Sequence, residues 1–191
     1  MDLTNIVNQA QEEWSGLVRG ATPAFMIGNA TCGKSAGAMK IIEKINDVVE
    51  NQNLDYKVFE VGCIGMCYLE PIVSIYKPGY SIITYGNINI DQVEKLIESV
   101  KEDKEIITEN VIGTFGTSEN TELPNFFKIP VMKPQERLVL NNCGIIDPTN
   151  LNHYIANKGY SGLENALKLS QQKVIERVKE SGLRGRGGAG F

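Results

Sequence analysis

Apolar positions recur along the first hundred residues with two alternating periods. From Thr4 to Val18, Ile6, Ala10, Trp14, Leu17 and Val18 fall on one side of a helix, and Gly20 stops it. Ala24-Phe25-Met26-Ile27 is a short apolar run that predicts a buried strand. After a glycine-rich bend, Ser35 to Glu50 predicts the clearest helix. Ala38, Ile42, Ile45 and Val49 line one face there, while Lys40, Glu43, Lys44 and Asp47 turn to solvent. Tyr56 to Val61 predicts a second strand. Pro71–Tyr76 and Tyr80–Tyr85 are β-branched and apolar, joined by Lys77-Pro78-Gly79, and predict an antiparallel hairpin. Asp91 to Glu102 predicts a helix with Val93, Leu96, Ile97 and Val100 inward and a capping box from Asp91 to Glu94.

The order helix, β, α, β, hairpin, α predicts an α/β (α+β) chain: a small mixed sheet with flanking helices over 23–104, preceded by an N-terminal helix over 1–22. The texture then changes. Residues 105–146 carry Gly113, Gly116, Pro124, Pro130 and Pro134 and read as a linker crossing a surface. Residues 147–191 read as a second region with three short helices. The first is capped by Asp147 with Pro148 at its opening position, the second follows Ser161 boxed by Glu164, and the third runs from Gln171 to Glu180 with Val174, Ile175 and Val178 inward.

Composition narrows the class. With 42% hydrophobic and 22% charged residues, the chain is of ordinary globular type. Its net charge of −4 gives no electrostatic case for nucleic acid as a partner. The acidic start lacks the regions of a signal peptide. The most apolar stretch, Val58 to Tyr76, is broken by Glu60, Glu70 and Pro71, so no membrane insertion is expected. A cytoplasmic location follows as the expectation. There Cys32, Cys63, Cys67 and Cys143 stay as ligands or buried thiols and do not form disulfides.

Three chemistries compete. Gly28-Asn29-Ala30-Thr31-Cys32-Gly33-Lys34-Ser35 spells a phosphate-binding P-loop between a strand and a helix. Against it, no apolar strand ends in the acidic residue that a nucleoside triphosphatase uses to hold magnesium. Cys63 and Cys67 stand four residues apart on a glycine-bearing loop after a strand, and Cys32 lies on the corresponding loop after the first strand. Three thiols on adjacent loops suit an iron–sulfur group, whose soft iron takes thiolates and whose sulfurs take N–H donors. Buried structural cysteines are the alternative. Zinc is the weaker option, since the single histidine, His153, lies on a helix of the other region and reads as a surface or capping residue. Finally, Arg184-Gly185-Arg186-Gly187-Gly188 suits either a disordered RNA-binding tail or a loop whose backbone N–H groups cradle an anion.

Two stretches carry a resemblance. Ile145-Ile146-Asp147-Pro148, Tyr154-Ile155-Ala156, Gly159-Tyr160 and Ser181 through Phe191 resemble the start of the 51 kDa (F) flavoprotein subunit of NADH dehydrogenases and of NAD-linked and electron-bifurcating hydrogenases and formate dehydrogenases. Ala30-Thr31-Cys32-Gly33, Ala36-Gly37-Ala38, Val61-Gly62-Cys63-Ile64-Gly65-Met66-Cys67 and Glu70-Pro71 resemble the thioredoxin-like 2Fe-2S ferredoxin domain that precedes it in the hydrogenase-type members. The resemblance makes the P-loop spelling incidental. It implies a thioredoxin-like sheet and cluster ligands at Cys32, Cys63 and Cys67. It also implies FMN contacts at Gly185, Arg186, Gly187, Gly188, Ala189 and Gly190.

The sequence departs from that pattern where a second cysteine is expected five residues after the first, and Gly37 stands there. Ser35, Cys143 or a solvent-derived ligand would complete the site, or the fold has outlived its cluster. The chain also stops within the flavin loop, so an N-terminal fragment that does not itself oxidise NADH is expected. In the complete protein NADH would reduce FMN, and electrons would pass to iron–sulfur centres. The implied partners are a small thioredoxin-like 2Fe-2S subunit and a catalytic subunit of hydrogenase or formate dehydrogenase type. A cluster-free thioredoxin-fold docking module is the reading from another class, and a P-loop nucleotide binder is the third.

Overall fold

The computed structural model describes residues 3–101, 104–116 and 122–190. Glu102 and Phe191, the expected ends of a helix and of the final loop, lie outside the described residues. The chain forms two compact units, residues 1–157 and 158–191.

In the first unit α1 (Leu3–Arg19) leads into β1 (Ala24–Gly28), whose residues are all buried. The helix expected over Ser35–Glu50 is two helices. The short α2 (Thr31–Ala36) is separated from α3 (Ala38–Asn51) by Gly37, whose φ of +100° turns the chain in a conformation that a β-carbon disfavours. The Gly37 N–H closes α2 on the carbonyls of Gly33 and Lys34. The apolar positions that predict the helix all lie on α3, from Ala38 onward, so they do not mark the joint. Next come β2 (Lys57–Val61), β3 (Val73–Tyr76), β4 (Ile82–Tyr85) and α4 (Val93–Ser99). The box at the start of α4 belongs to Asn89 and Gln92, on a 3₁₀ turn ahead of the helix, and not to Asp91 and Glu94.

Residues 105–146, expected to carry no element, supply the sheet's fifth strand, β5 (Val111–Phe115). The order is β2-β1-β3-β4-β5, with β1 and β2 parallel and every other pair antiparallel. Over β2-β1-β3-β4 this is the thioredoxin-like arrangement: a β-α-β crossover, then a hairpin antiparallel to it. One face carries Phe25, Ile27, Val73, Ile75, Ile83 and Tyr85 and packs against the buried stripes of α3 and α4. Burial of apolar surface at about 25 cal/mol per Å² makes this layer the main source of stability. On the opposite face Met26, Val61, Tyr76 and Ile82 meet Val18 of α1, and Met66, Ile72, Phe126 and Met132 form a smaller cluster.

The first unit also includes α5 (Leu151–Ala156), which packs along α1. Its cap is Asn150, not Asp147. The Asn150 side chain accepts from the N–H groups of Asn152 and His153, while Asp147 accepts from Thr149 in the turn before it. His153 is buried, contrary to the expectation of a surface or capping role. It lies edge-on between Trp14 and Phe59, with ring centroids 5.0 and 5.3 Å away, and its Nδ1 accepts from the Asp147 N–H.

The second unit holds α6 (Ser161–Leu167) and α7 (Gln171–Glu180). No side-chain cap forms at the start of α6, so Glu164 does not box it; the Ser161 hydroxyl donates to the Lys158 carbonyl. Ile175 and Val178, expected inward, are about half exposed at 50% and 54%.

Candidate metal centre

The sheet register brings the cysteine loops together. Gly28 of β1 pairs with Val61 of β2, and the next N–H, that of Asn29, donates to the Val61 carbonyl at 3.1 Å. Both strands therefore leave the sheet at one end. Cys32 follows at the start of α2, and Cys63 and Cys67 follow on the loop after β2. Their three sulfurs lie within 4.8 Å of one another, with Cys63 Sγ and Cys67 Sγ 3.8 Å apart. The Gly65 N–H donates to Cys63 Sγ at 3.2 Å, made possible by the φ of +90° at Gly65. Cys67 is exposed, and the other two are partly so.

Three thiols at this spacing resist ionising together. Partial burial pushes the Cys63 thiol up, with further help from Cys67 and the carboxyl group of Glu70, while the Gly65 N–H opposes. Cys67 is raised chiefly by its hydrogen bond with Cys32. A cation between them reverses that balance, because it favours three thiolates. The donor set is soft and suits iron–sulfur or zinc chemistry better than magnesium or calcium.

Cys143 is not one of the converging thiols. It lines a small cavity with Ser74, Thr84 and Phe127 on the outer face of the sheet. Its chain segment still touches the cysteine loop, since the Arg137 guanidinium donates to the carbonyls of both Ile64 and Cys143. Gly185, Arg186, Gly187, Gly188, Ala189 and Gly190 follow α7 as an exposed segment, with positive φ at Gly188 and Gly190.

The P-loop spelling does not fold into an anion cradle. The helix begins within it, at Thr31, and a β-carbon on Gly33 would collide with the Gly28 carbonyl. The Glu70 carboxylate sits against both glycines, 3.1 Å from the β-carbon position of Gly28 and 3.4 Å from that of Gly33, and it repels phosphate there. Two residues of this site receive no role from motif reading. Glu70 is buried, accepts from the Ile72 N–H at 2.8 Å, and is raised by desolvation. In the sequence it stands out as an acid inside an apolar run and as part of the Glu70-Pro71 pair that carries the ferredoxin resemblance. Asn29 donates through Nδ2 to Glu60 and to the Met39 sulfur, and nothing in the sequence marks it.

No family model matches the chain. It is 52% identical over 59 residues to the NADP-reducing hydrogenase subunit HndC of Solidesulfovibrio fructosivorans, a match covering 31% of the chain and 12% of that protein. It is 56% identical over 41 residues to the F subunit of the NADH-quinone oxidoreductase of Streptomyces coelicolor, covering 22% of the chain and 9% of the relative. The chain thus spans about a tenth of the length of these two relatives. It is 32% identical over 75 residues to the 2Fe-2S ferredoxin of Clostridium pasteurianum, covering 38% of the chain and 71% of that ferredoxin. Among solved structures, a thioredoxin-like [2Fe-2S] ferredoxin from Aquifex aeolicus aligns over 51% of this chain and 96% of its own, at 14% identity and a TM-score of 0.41.

Proposed function

The chain belongs to the 2Fe-2S ferredoxin family, and on that premise we propose that Cys32, Cys63 and Cys67 hold a 2Fe-2S cluster and that the first unit carries electrons. The observation that carries this reading is the convergence of three sulfurs within 4.8 Å at the end of the sheet. A bound cluster supplies a one-electron redox couple. The chain's own residues do the rest. The Gly65 N–H stabilises negative charge on Cys63 sulfur, the Glu70 carboxylate opposes added negative charge, and Cys67 forms the solvent edge through which a partner is reached.

Within a longer protein of the kind that HndC and the oxidoreductase relative represent, this unit becomes a branch of the electron path of an NADH-linked oxidoreductase. FMN would lie on the segment from Gly185 to Gly190, and NADH would be the hydride donor. Partners are then a small thioredoxin-like 2Fe-2S subunit and a catalytic subunit of hydrogenase or formate dehydrogenase type. A reducing, cytoplasmic setting keeps the thiols free to ligate. Among the described residues no helix is long and apolar enough to cross a membrane.

Iron and acid-labile sulfide, measured on anaerobically purified protein, test this directly. About two of each per chain are expected, with loss of both in Cys63→Ser. A folded, iron-free protein whose Cys67 alkylates freely would instead make the unit a docking scaffold, which the missing fourth thiolate favours.

A further inference from the structure

We infer that the cluster site keeps one coordination position open to solvent, and that a small exogenous thiol fills it as a thiolate. This rests on the cluster reading above. A binuclear cluster takes four thiolates, and the described residues bring three sulfurs together.

The chain's other donors lie outside the converging set or are poorly matched. Cys143 opens into the cavity beside Ser74 and Thr84, and Arg137 fixes its segment there through the carbonyls of Leu140 and Cys143. Gly37, at the end of the helix that carries Cys32, has no side chain and a backbone that disfavours one; a β-carbon built there meets no atom within 4 Å. Ser35 is exposed on α2, but its hydroxyl is a harder donor than a thiolate and must lose a far less acidic proton. The site also has an entrance, because Cys67 is exposed and Cys32 and Cys63 are partly so. A small thiol reaches the open position from solvent, gives its proton to solvent, binds as thiolate and displaces a solvent-derived ligand. No electron changes hands in the exchange.

The test uses the whole chain, reconstituted anaerobically and desalted free of small thiols, then titrated with 2-mercaptoethanol and separately with reduced glutathione. A saturable change in the visible circular dichroism spectrum is expected, along with severalfold slower bleaching by an iron chelator. Cys143→Ser and Ser35→Ala should respond as the parent protein does. A cluster that forms but whose spectrum and lifetime ignore added thiol overturns the open position while leaving the cluster reading intact. A parent protein that ignores thiol while Cys143→Ser or Ser35→Ala responds assigns the fourth ligand to that residue and equally overturns it. If no iron or sulfide is incorporated, both readings fall.

Discussion

Glu70 places a carboxyl group in a buried position, against Gly28 and Gly33 and within electrostatic reach of Cys63. Desolvation raises its pKa above the ordinary 4.5, so the folded state holds this proton more tightly than the unfolded chain does. The linkage has a definite sign. At low pH the group is neutral in both states and costs nothing. As pH rises through the folded pKa the buried site must accept a charge, and stability falls. Glu70→Gln keeps an acceptor for the Ile72 N–H but never ionises. Denaturant midpoints of the apo forms should therefore coincide near pH 4.5 and separate toward pH 7.5, with the glutamine variant the more stable. A gap that stays constant across that range would show that the charge is tolerated.

The elements show where sequence reading works. β1, α3, the β3–β4 hairpin and α4 were legible because each writes a full period of apolar residues into consecutive positions. β5 was not, because five residues between Asn110 and Gly116 in a glycine- and proline-punctuated stretch do not establish a period; its place is fixed by pairing with β4. The cysteine spacing announced the site and Glu70 stood in the resembling stretch without a role, whereas the contacts of Asn29 and Glu70 became visible only once distant segments met. His153 is the same case at the scale of a helix, since Trp14 and Phe59, its ring partners, are far away in sequence. Burial lowers its pKa below 6.5, against the opposing pull of Asp147 and Glu13. The seat of α5 on α1 thus prefers the neutral ring. Its stability is present above pH 6.5 and drains away as pH falls through the window below it, because the unfolded chain takes up the proton first. Thermal midpoints taken from pH 7.5 to 5.5 should drop more steeply for the parent protein than for His153→Gln, which retains an acceptor for the Asp147 N–H. Parallel slopes would place the acid sensitivity elsewhere.

Over the whole molecule, stability is unevenly spread. Every buried side chain among the described residues belongs to 3–157, and none lies in 158–190. In the second unit, α6 has seven residues and α7 ten, lengths at which a helix in water is marginal unless an apolar face is covered. Their large apolar side chains are open: Leu163 is 56% exposed, Leu167 77% and Ile175 50%. Caps and side-chain pairs are what remain. Ser170 accepts from the Lys173 N–H, and Lys168 pairs with Glu164 along one helix face, contributions of a few tenths to about 1 kcal/mol each. Such helices open by local fluctuation without unfolding the sheet. Native-state hydrogen exchange on this chain should then find amides of 161–180 exchanging orders of magnitude faster than those of β1, β3 and α3, whose opening requires breaking the main core. Equal protection in both regions would mean that α6 and α7 are held by packing their exposed leucines do not show. With fast exchange, the glycine segment after α7 inherits no rigid support from its helix, and any order it has for an anion must come from the ligand it meets.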